Sequence, residues 1–169
     1  SDIRAALGIL RPIYDESQGL DGYVSVEVDP ALARNSEGTT TAARELHERL
    51  SEPNLYVKIP GTAEGLLPIQ TMISEKRSIN VTLIFSVERY AEVMEAYISG
   101  LEMADGNLQD ISSVASFFIS RLDVEVDRRL NALGSPEALA LRGKAAVANG
   151  KLAYALFSRT FSGPRWETL

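Results

Sequence analysis

The sequence predicts an α/β fold of the (β/α)8 TIM-barrel type, with about four βα units present in its 169 residues. Three observations carry that expectation. Four short segments rich in β-branched and aromatic residues are each followed by a helical pattern. Their spacing, about 30 residues per unit, calls for parallel strands joined by right-handed crossovers. The strands also share one apolar face, while the other face carries polar and charged side chains. An open sheet covered by helices on both sides needs both faces apolar, whereas a barrel buries one face and turns the other toward a site at the C-terminal strand ends.

Taken in order, the stretch Ile3 to Tyr14 has helical spacing, and the first strand is expected over Gly22 to Val28. There Val24, Val26 and Val28 alternate with Ser25, Glu27 and Asp29, and a helix from Thr39 to Leu50 follows. The second strand, Asn54 to Ile59, sets Leu55, Val57 and Ile59 against Tyr56 and Lys58; Thr62 is the candidate N-cap of a helix over Glu64 to Lys76. The third, Ile79 to Phe85, sets Val81, Leu83 and Phe85 against Asn80 and Thr82, and Ser86 caps a helix from Val87 to Met103. A fourth strand is expected over Ser113 to Ser120, then a helix from Asp123 to Leu133 with Gly134 as its stop. Ser135 with Pro136 behind it opens a long Ala-rich helix over about residues 136–161. No linker, low-complexity segment or further repeat divides the chain, so residues 1–169 are expected to form one partial barrel domain.

A composition of 45% hydrophobic and 24% charged residues suits a globular domain with a sizeable core. The 17 basic and 23 acidic residues leave a net charge of −6, which argues against general attraction to nucleic acid or an anionic membrane, so an anionic ligand must meet a local basic site. The absence of cysteine removes thiol nucleophiles, thiolate metal sites and disulfides, and His47, the single histidine, cannot form a multi-histidine metal site. No apolar run approaches the roughly 18 residues of a membrane span, and the first residues carry no charged-then-apolar signal. A cytoplasmic protein is expected.

Of the four lysines, Lys76 lies between Glu75 and Arg77, and Lys144 and Lys151 fall in the expected Ala-rich helix. Lys58 alone occupies an apolar strand, near the end where barrel sites form. Desolvation there disfavours the ammonium and supplies the neutral amine that a carbonyl-attacking nucleophile needs. The alternatives are a strand-end lysine reaching to solvent and a structural ion pair with Glu27. Glu27 shares the inward parity of Lys58 one unit earlier, as a proton relay or as a simple charge partner. Asn80 and Thr82 place an amide and a hydroxyl on the same face, to bind substrate and water or to satisfy each other. Ser116 and Arg121 flank the end of the fourth strand, where they suit a phosphate; the alternative pairs Arg121 with Asp123 or Glu125.

Four blocks resemble, in order, the signature stretches of bacterial transaldolase, a Schiff-base aldolase. They are Tyr23-Val24-Ser25-Val26-Glu27-Val28-Asp29-Pro30, Val57-Lys58-Ile59-Pro60-Gly61-Thr62, Ile79-Asn80-Val81-Thr82-Leu83-Ile84-Phe85-Ser86 and Ala115-Ser116-Phe117-Phe118-Ile119-Ser120-Arg121-Leu122-Asp123. The resemblance implies that Lys58 forms the Schiff base, that Glu27 works through a catalytic water, and that Thr82 holds this water. It further implies that Asn80 binds a substrate hydroxyl and that Ser116 and Arg121 bind phosphate. The implied reaction is dihydroxyacetone transfer from sedoheptulose 7-phosphate to glyceraldehyde 3-phosphate in the pentose phosphate pathway, with sugar phosphates as the partners and no metal or organic cofactor.

The family's first-strand aspartate, second-strand asparagine and further phosphate-binding arginine have no counterpart here. The chain is therefore expected to cover barrel strands three to six and to be inactive alone. Its open edges are expected to associate with another chain, possible in a homodimer. A fructose 6-phosphate aldolase-like enzyme and a non-catalytic sugar-phosphate-binding half barrel are the competing readings.

Overall fold

Four parallel strands follow one another in space as they do in sequence. β1 (Val24–Glu27), β2 (Leu55–Pro60), β3 (Ile79–Ile84) and β4 (Ser113–Phe117) form one sheet in the order β1-β2-β3-β4. The structure is a computed structural model and describes residues 2–169. α1 (Asp2–Glu16) precedes β1, and α2 (Ser36–Leu50), α3 (Leu66–Ser74) and α4 (Val87–Met103) carry the chain from each strand to the next. After β4 come α5 (Ser120–Leu133), α6 (Pro136–Leu139), α7 (Ala145–Thr160) and α8 (Pro164–Glu167). This is the alternating α/β arrangement of the expected barrel type, with four parallel strands. Among the described residues, no helix is long and apolar enough to cross a membrane.

The outward face forms the core. Leu55, Val57, Ile59, Ile79, Val81 and Ile84 of the strands and Ile69, Met72 and Ile73 of α3 are each at most 1% exposed. Burying each such side chain contributes roughly 1.5–3 kcal/mol, so this layer is the main source of stability. α3 and α4 lie so close that a Cβ on Gly100 would come within 2.8 Å of the Gln70 carbonyl oxygen and of Ile73 Cβ.

The other face curls inward. Asn80 Nδ2 of β3 donates to Ser25 Oγ of β1 at 3.2 Å, and the Tyr56 hydroxyl of β2 lies 2.6 Å from Ser112 Oγ, beside the start of β4. Each contact skips a strand. Adjacent strands sit ~4.8 Å apart, so these groups meet because the sheet bends with this face inside, as barrel closure requires. Tyr23 stacks on Tyr56 at 4.0 Å and meets Tyr14 edge-on at 5.2 Å, closing the N-terminal end of the concave face. Burial pushes the Tyr56 phenol above its ordinary range. Asn54, buried beneath, donates to the carbonyls of Leu7 and Gly22 and ties α1 to the sheet.

Local chemistry sets most element ends. Ser86 accepts from the Arg89 amide, Ser135 accepts from the Ala138 amide, and Gly134 takes the left-handed conformation that ends α5, all as the sequence predicts. α2 begins three residues before Thr39, because Asn35 caps it by accepting from the Gly38 amide. Thr62 accepts from the Gly65 amide and donates to the Ala33 carbonyl, so it closes a turn, and α3 starts only at Leu66. α3 stops at Ser74, and Lys76 beyond it has φ 58°. β1 is shorter than expected at both ends, and β4 stops at Phe117, since α5 already begins at Ser120.

Two expectations are overturned. The third strand does not alternate to its end: Val81 pairs with Ala115 and Ile84 with Phe117, so Thr82 and Leu83 together face Ser116. Leu83 is the extra residue of this bulge, at φ 60°. The shift gives Ile84 the buried outward place expected of Leu83 and leaves Phe85 38% exposed.

The single helix over residues 136–161 is also broken. Asp123 and Asp127, one turn apart on α5, accept from the backbone amides of Ala146 and Gly143, and Gly143 turns left-handed at φ 70°. These acids cap a new start for α7, so alanine content does not carry the helix through, and Lys144 lies in the connection ahead of α7.

Candidate active site

Glu27 and Lys58 are directly paired in the β1–β2 register, and parallel pairing points both side chains to the concave face. Lys58 Nζ donates to Glu27 Oε2 at 3.3 Å. This contact is common to the ion-pair and the proton-relay readings of the two residues. The side chains are 28% and 41% exposed, respectively, so solvent screens the pair and it adds only about 0–1 kcal/mol to stability. Lys58 is thus only partly shielded from solvent, although Tyr56 and Pro60 on either side of it on the same face are buried. What the pair provides is geometry: an amine and a carboxylate close enough to exchange a proton directly or through one water.

Asn80 is the next residue across, paired with Lys58 in the β2–β3 register. Its amide is fixed at both ends, accepting from Ser116 Oγ at 2.8 Å and donating to Ser25 Oγ at 3.2 Å. Ser116 is thus tied to Asn80 across the β3–β4 ladder. Thr82, two residues on, is 2% exposed beside the Leu83 bulge. Among the described residues, neither Thr82 nor Arg121 hydrogen-bonds another member of the predicted set. The six residues therefore form two joined pairs and two separate groups.

Arg121 stands exposed in the first turn of α5. The pairing with Asp123 or Glu125 weighed from the sequence does not form. Asp123 caps α7, and Glu125 is clamped by Arg128 and Arg129, which hold its carboxyl down at about 2. The Arg121 guanidinium carbon lies instead 4.7 Å from the Phe118 ring centre, and Phe118 stacks on Phe85 at 5.0 Å.

Sequence reasoning missed Ser25, although it shares the parity of Glu27. It also missed the Phe85–Phe118 shelf, whose one signal was an aromatic residue near the end of each of two adjacent strands. No group of three or more His, Asp or Glu side chains among the described residues is arranged to hold a metal ion. The set as placed can present an amine, a nearby carboxylate and an oriented amide to a small polyhydroxylated ligand, with a cation at the strand ends for an anionic group.

A family model described as Transaldolase/Fructose-6-phosphate aldolase matches residues 1–168. The chain is 52% identical over 172 residues to a transaldolase of Parafrankia sp. (strain EAN1pec), covering 100% of this chain and 47% of that protein. It is 53% identical to a transaldolase of Thermobifida fusca (strain YX), covering 99% of this chain and 46% of the relative. A protein named Transaldolase 1 from Streptomyces avermitilis is 51% identical, over 100% of this chain and 46% of its own length. The chain spans about half the length of these curated relatives. With the match running through nearly every residue, the chain belongs to the transaldolase/fructose-6-phosphate aldolase family.

Proposed function

We propose that this chain carries the imine-forming part of a transaldolase site, with Lys58 as the nucleophile. The observation that carries the reading is the 3.3 Å contact between Lys58 Nζ and Glu27 Oε2 on paired positions of neighbouring strands. A neutral amine attacks the ketose C2 carbonyl, and the carbonyl oxygen takes up a proton from solvent to give a carbinolamine. Loss of that hydroxyl as water leaves a protonated imine. Glu27, acting through a water held by Thr82, accepts the proton released by the attacking nitrogen and returns it to the departing hydroxyl. As the C4 hydroxyl gives up its proton to solvent, the imine draws in the electron pair of the breaking C3–C4 bond and the remaining carbons leave as an aldose phosphate, so the three-carbon unit waits as an enamine until another aldose phosphate accepts it. That electron sink is organic and needs no metal or further cofactor.

In this reading Asn80, oriented by Ser116 and Ser25, binds a substrate hydroxyl, and Ser116 and Arg121 hold the phosphate. The donor is sedoheptulose 7-phosphate and the acceptor glyceraldehyde 3-phosphate, with erythrose 4-phosphate and fructose 6-phosphate as products, in a cytoplasmic pentose phosphate pathway. The family description also names fructose 6-phosphate aldolase, which releases free dihydroxyacetone. The relatives near 50% identity are named transaldolases, and this favours transfer. The test is trapping. A full-length protein carrying this sequence is incubated with fructose 6-phosphate, reduced with borohydride and mapped by peptide mass spectrometry. The adduct is expected on Lys58 alone; labelling of Lys76, Lys144 or Lys151 instead, or no adduct, contradicts the reading.

A further inference from the structure

At the open end of the concave face, a charged group is held without an opposite charge. Arg121 has Asp123 and Glu125 near it in sequence, yet both are engaged elsewhere, by the α7 amide of Ala146 and by Arg128 and Arg129. What the guanidinium touches is the Phe118 ring, 4.7 Å from its centre. Phe118 in turn stacks on Phe85, with ring centres 5.0 Å apart and 23° between the planes. The shelf is pinned on the backbone: the Phe118 amide donates to the Ile84 carbonyl at 2.8 Å, and Asn149 Nδ2 of α7 donates to the Phe85 carbonyl at 2.9 Å.

Phe85 reaches that place because of the bulge. In regular alternation residue 85 would share the outward face with Val81; the extra residue opposite Ser116 gives that face to Ile84 and turns Phe85 toward the strand ends. Leu83 holds φ 60°, a conformation that costs a leucine free energy and that needs something to maintain it. We propose that Phe85 is a positioning residue for Arg121. Turned to the mouth by the Leu83 bulge, it braces Phe118, and Phe118 holds the guanidinium by a cation–π contact. Such a contact neither neutralises the charge nor occupies the five N–H donors, so the group is placed and still wholly available to an anion. The inference rests on the reading of Arg121 as the phosphate ligand.

The test uses the 15N-labelled 169-residue chain and inorganic phosphate as the probe. The Arg121 Nε–H resonance, assigned by its disappearance in Arg121→Ala, is expected upfield of an exposed arginine because it lies over the Phe118 ring. In Phe85→Leu, which keeps apolar bulk at a position 38% exposed, the resonance is expected to return toward the exposed value. The phosphate Kd is expected to rise about three-fold in that variant. In Arg121→Ala it is expected to rise about ten-fold or more. Leu83→Gly, which suits a left-handed position, is expected to keep the upfield resonance and the affinity. An Arg121 resonance that does not move in Phe85→Leu overturns the inference whatever the affinities do. A resonance that moves while Arg121→Ala leaves phosphate binding unchanged overturns the phosphate reading and supports the placing role of Phe85.

Discussion

The centre of the sheet and the helices after β4 are built on different terms. β2, β3, α3 and α4 bury an unbroken apolar layer, with Val57, Ile59, Ile69, Met72, Ile73, Ile79 and Ile84 at 0% exposure. α5 buries none of its residues, α7 buries only Ala146 and Ala153, and Val124, Leu133, Leu152 and Tyr154 stand 62–74% exposed. One region is held by a continuous buried layer, the other by caps, ion pairs and a small aromatic cluster of Phe157, Phe161 and Trp166 beside Tyr97. The candidate site spans the two: Lys58, Asn80 and Thr82 rise from the rigid centre, Glu27 and Ser116 from the edge strands, and Arg121 from the loosely packed α5. The lysine proposed to form the imine is therefore fixed by the core, while the arginine proposed to bind phosphate depends on weaker local contacts.

The sharpest way to break this contrast is to truncate one apolar side chain to alanine in each region. Ile73→Ala should cost about 3–5 kcal/mol by urea denaturation, since the α3–α4 contact leaves no room to close the cavity. Val124→Ala should change stability by no more than about 0.5 kcal/mol. Comparable losses at the two positions would remove the distinction.

Next in size is a pH effect on the central side. His47 of α2 has a buried Nε2 without a hydrogen-bond partner, and burial, with Arg77 nearby, lowers its pKa from 6.5 to about 4. The folded state thus refuses a proton that the unfolded state accepts. Stability is fully present above pH 6.5, declines as the pH falls toward 4, and levels off below that, a total loss of roughly 2–3 kcal/mol from this group. His47→Gln should flatten that part of the stability curve; an unchanged slope would assign the loss to carboxylates such as Glu75, which Arg44 and Arg77 hold low.

On the other side, Asp123→Ala removes the acceptor at the start of α7 and should cost about 1 kcal/mol. Its signature is faster amide exchange in α7 with α3 and α4 unaffected. A small, salt-sensitive effect belongs to Arg165, which binds Glu95 and Glu102 of α4 from α8 at exposed positions. Arg165→Ala should lower stability only slightly, and less again in high salt.

Much of the fold was legible because the core uses simple signals. β-branched runs, the alternation of Val57 and Ile59 with Lys58, and the Ser86 and Ser135 caps identified strands, faces and helix starts correctly. The bulge was not legible: Leu83 is left-handed without being Gly or Asn, so no residue type marks the extra position. The break before α7 was half visible in Gly143, but the capping acids that enforce it come from α5 and meet it only in three dimensions. At the site, parity was enough to pair Glu27 with Lys58. It overstated the burial of Lys58, since an apolar strand sequence reports cover on one face and says nothing of the other. Arg121 was read as a phosphate ligand, with its acidic sequence neighbours as the alternative; its contact with an aromatic ring presented by the preceding strand end had no signal of its own.

The central claim is that Lys58 lies in an imine-forming half of a site whose transfer chemistry needs more than these four strands. The direct measurement is the rate of dihydroxyacetone transfer from fructose 6-phosphate to an aldose phosphate by the 169-residue chain, compared with a full-length relative. The account predicts transfer below detection, because an open concave face leaves Lys58 hydrated and the enamine without the remaining barrel wall. Turnover at the rate of the full-length relative would contradict it and show that the groups on these four strands suffice.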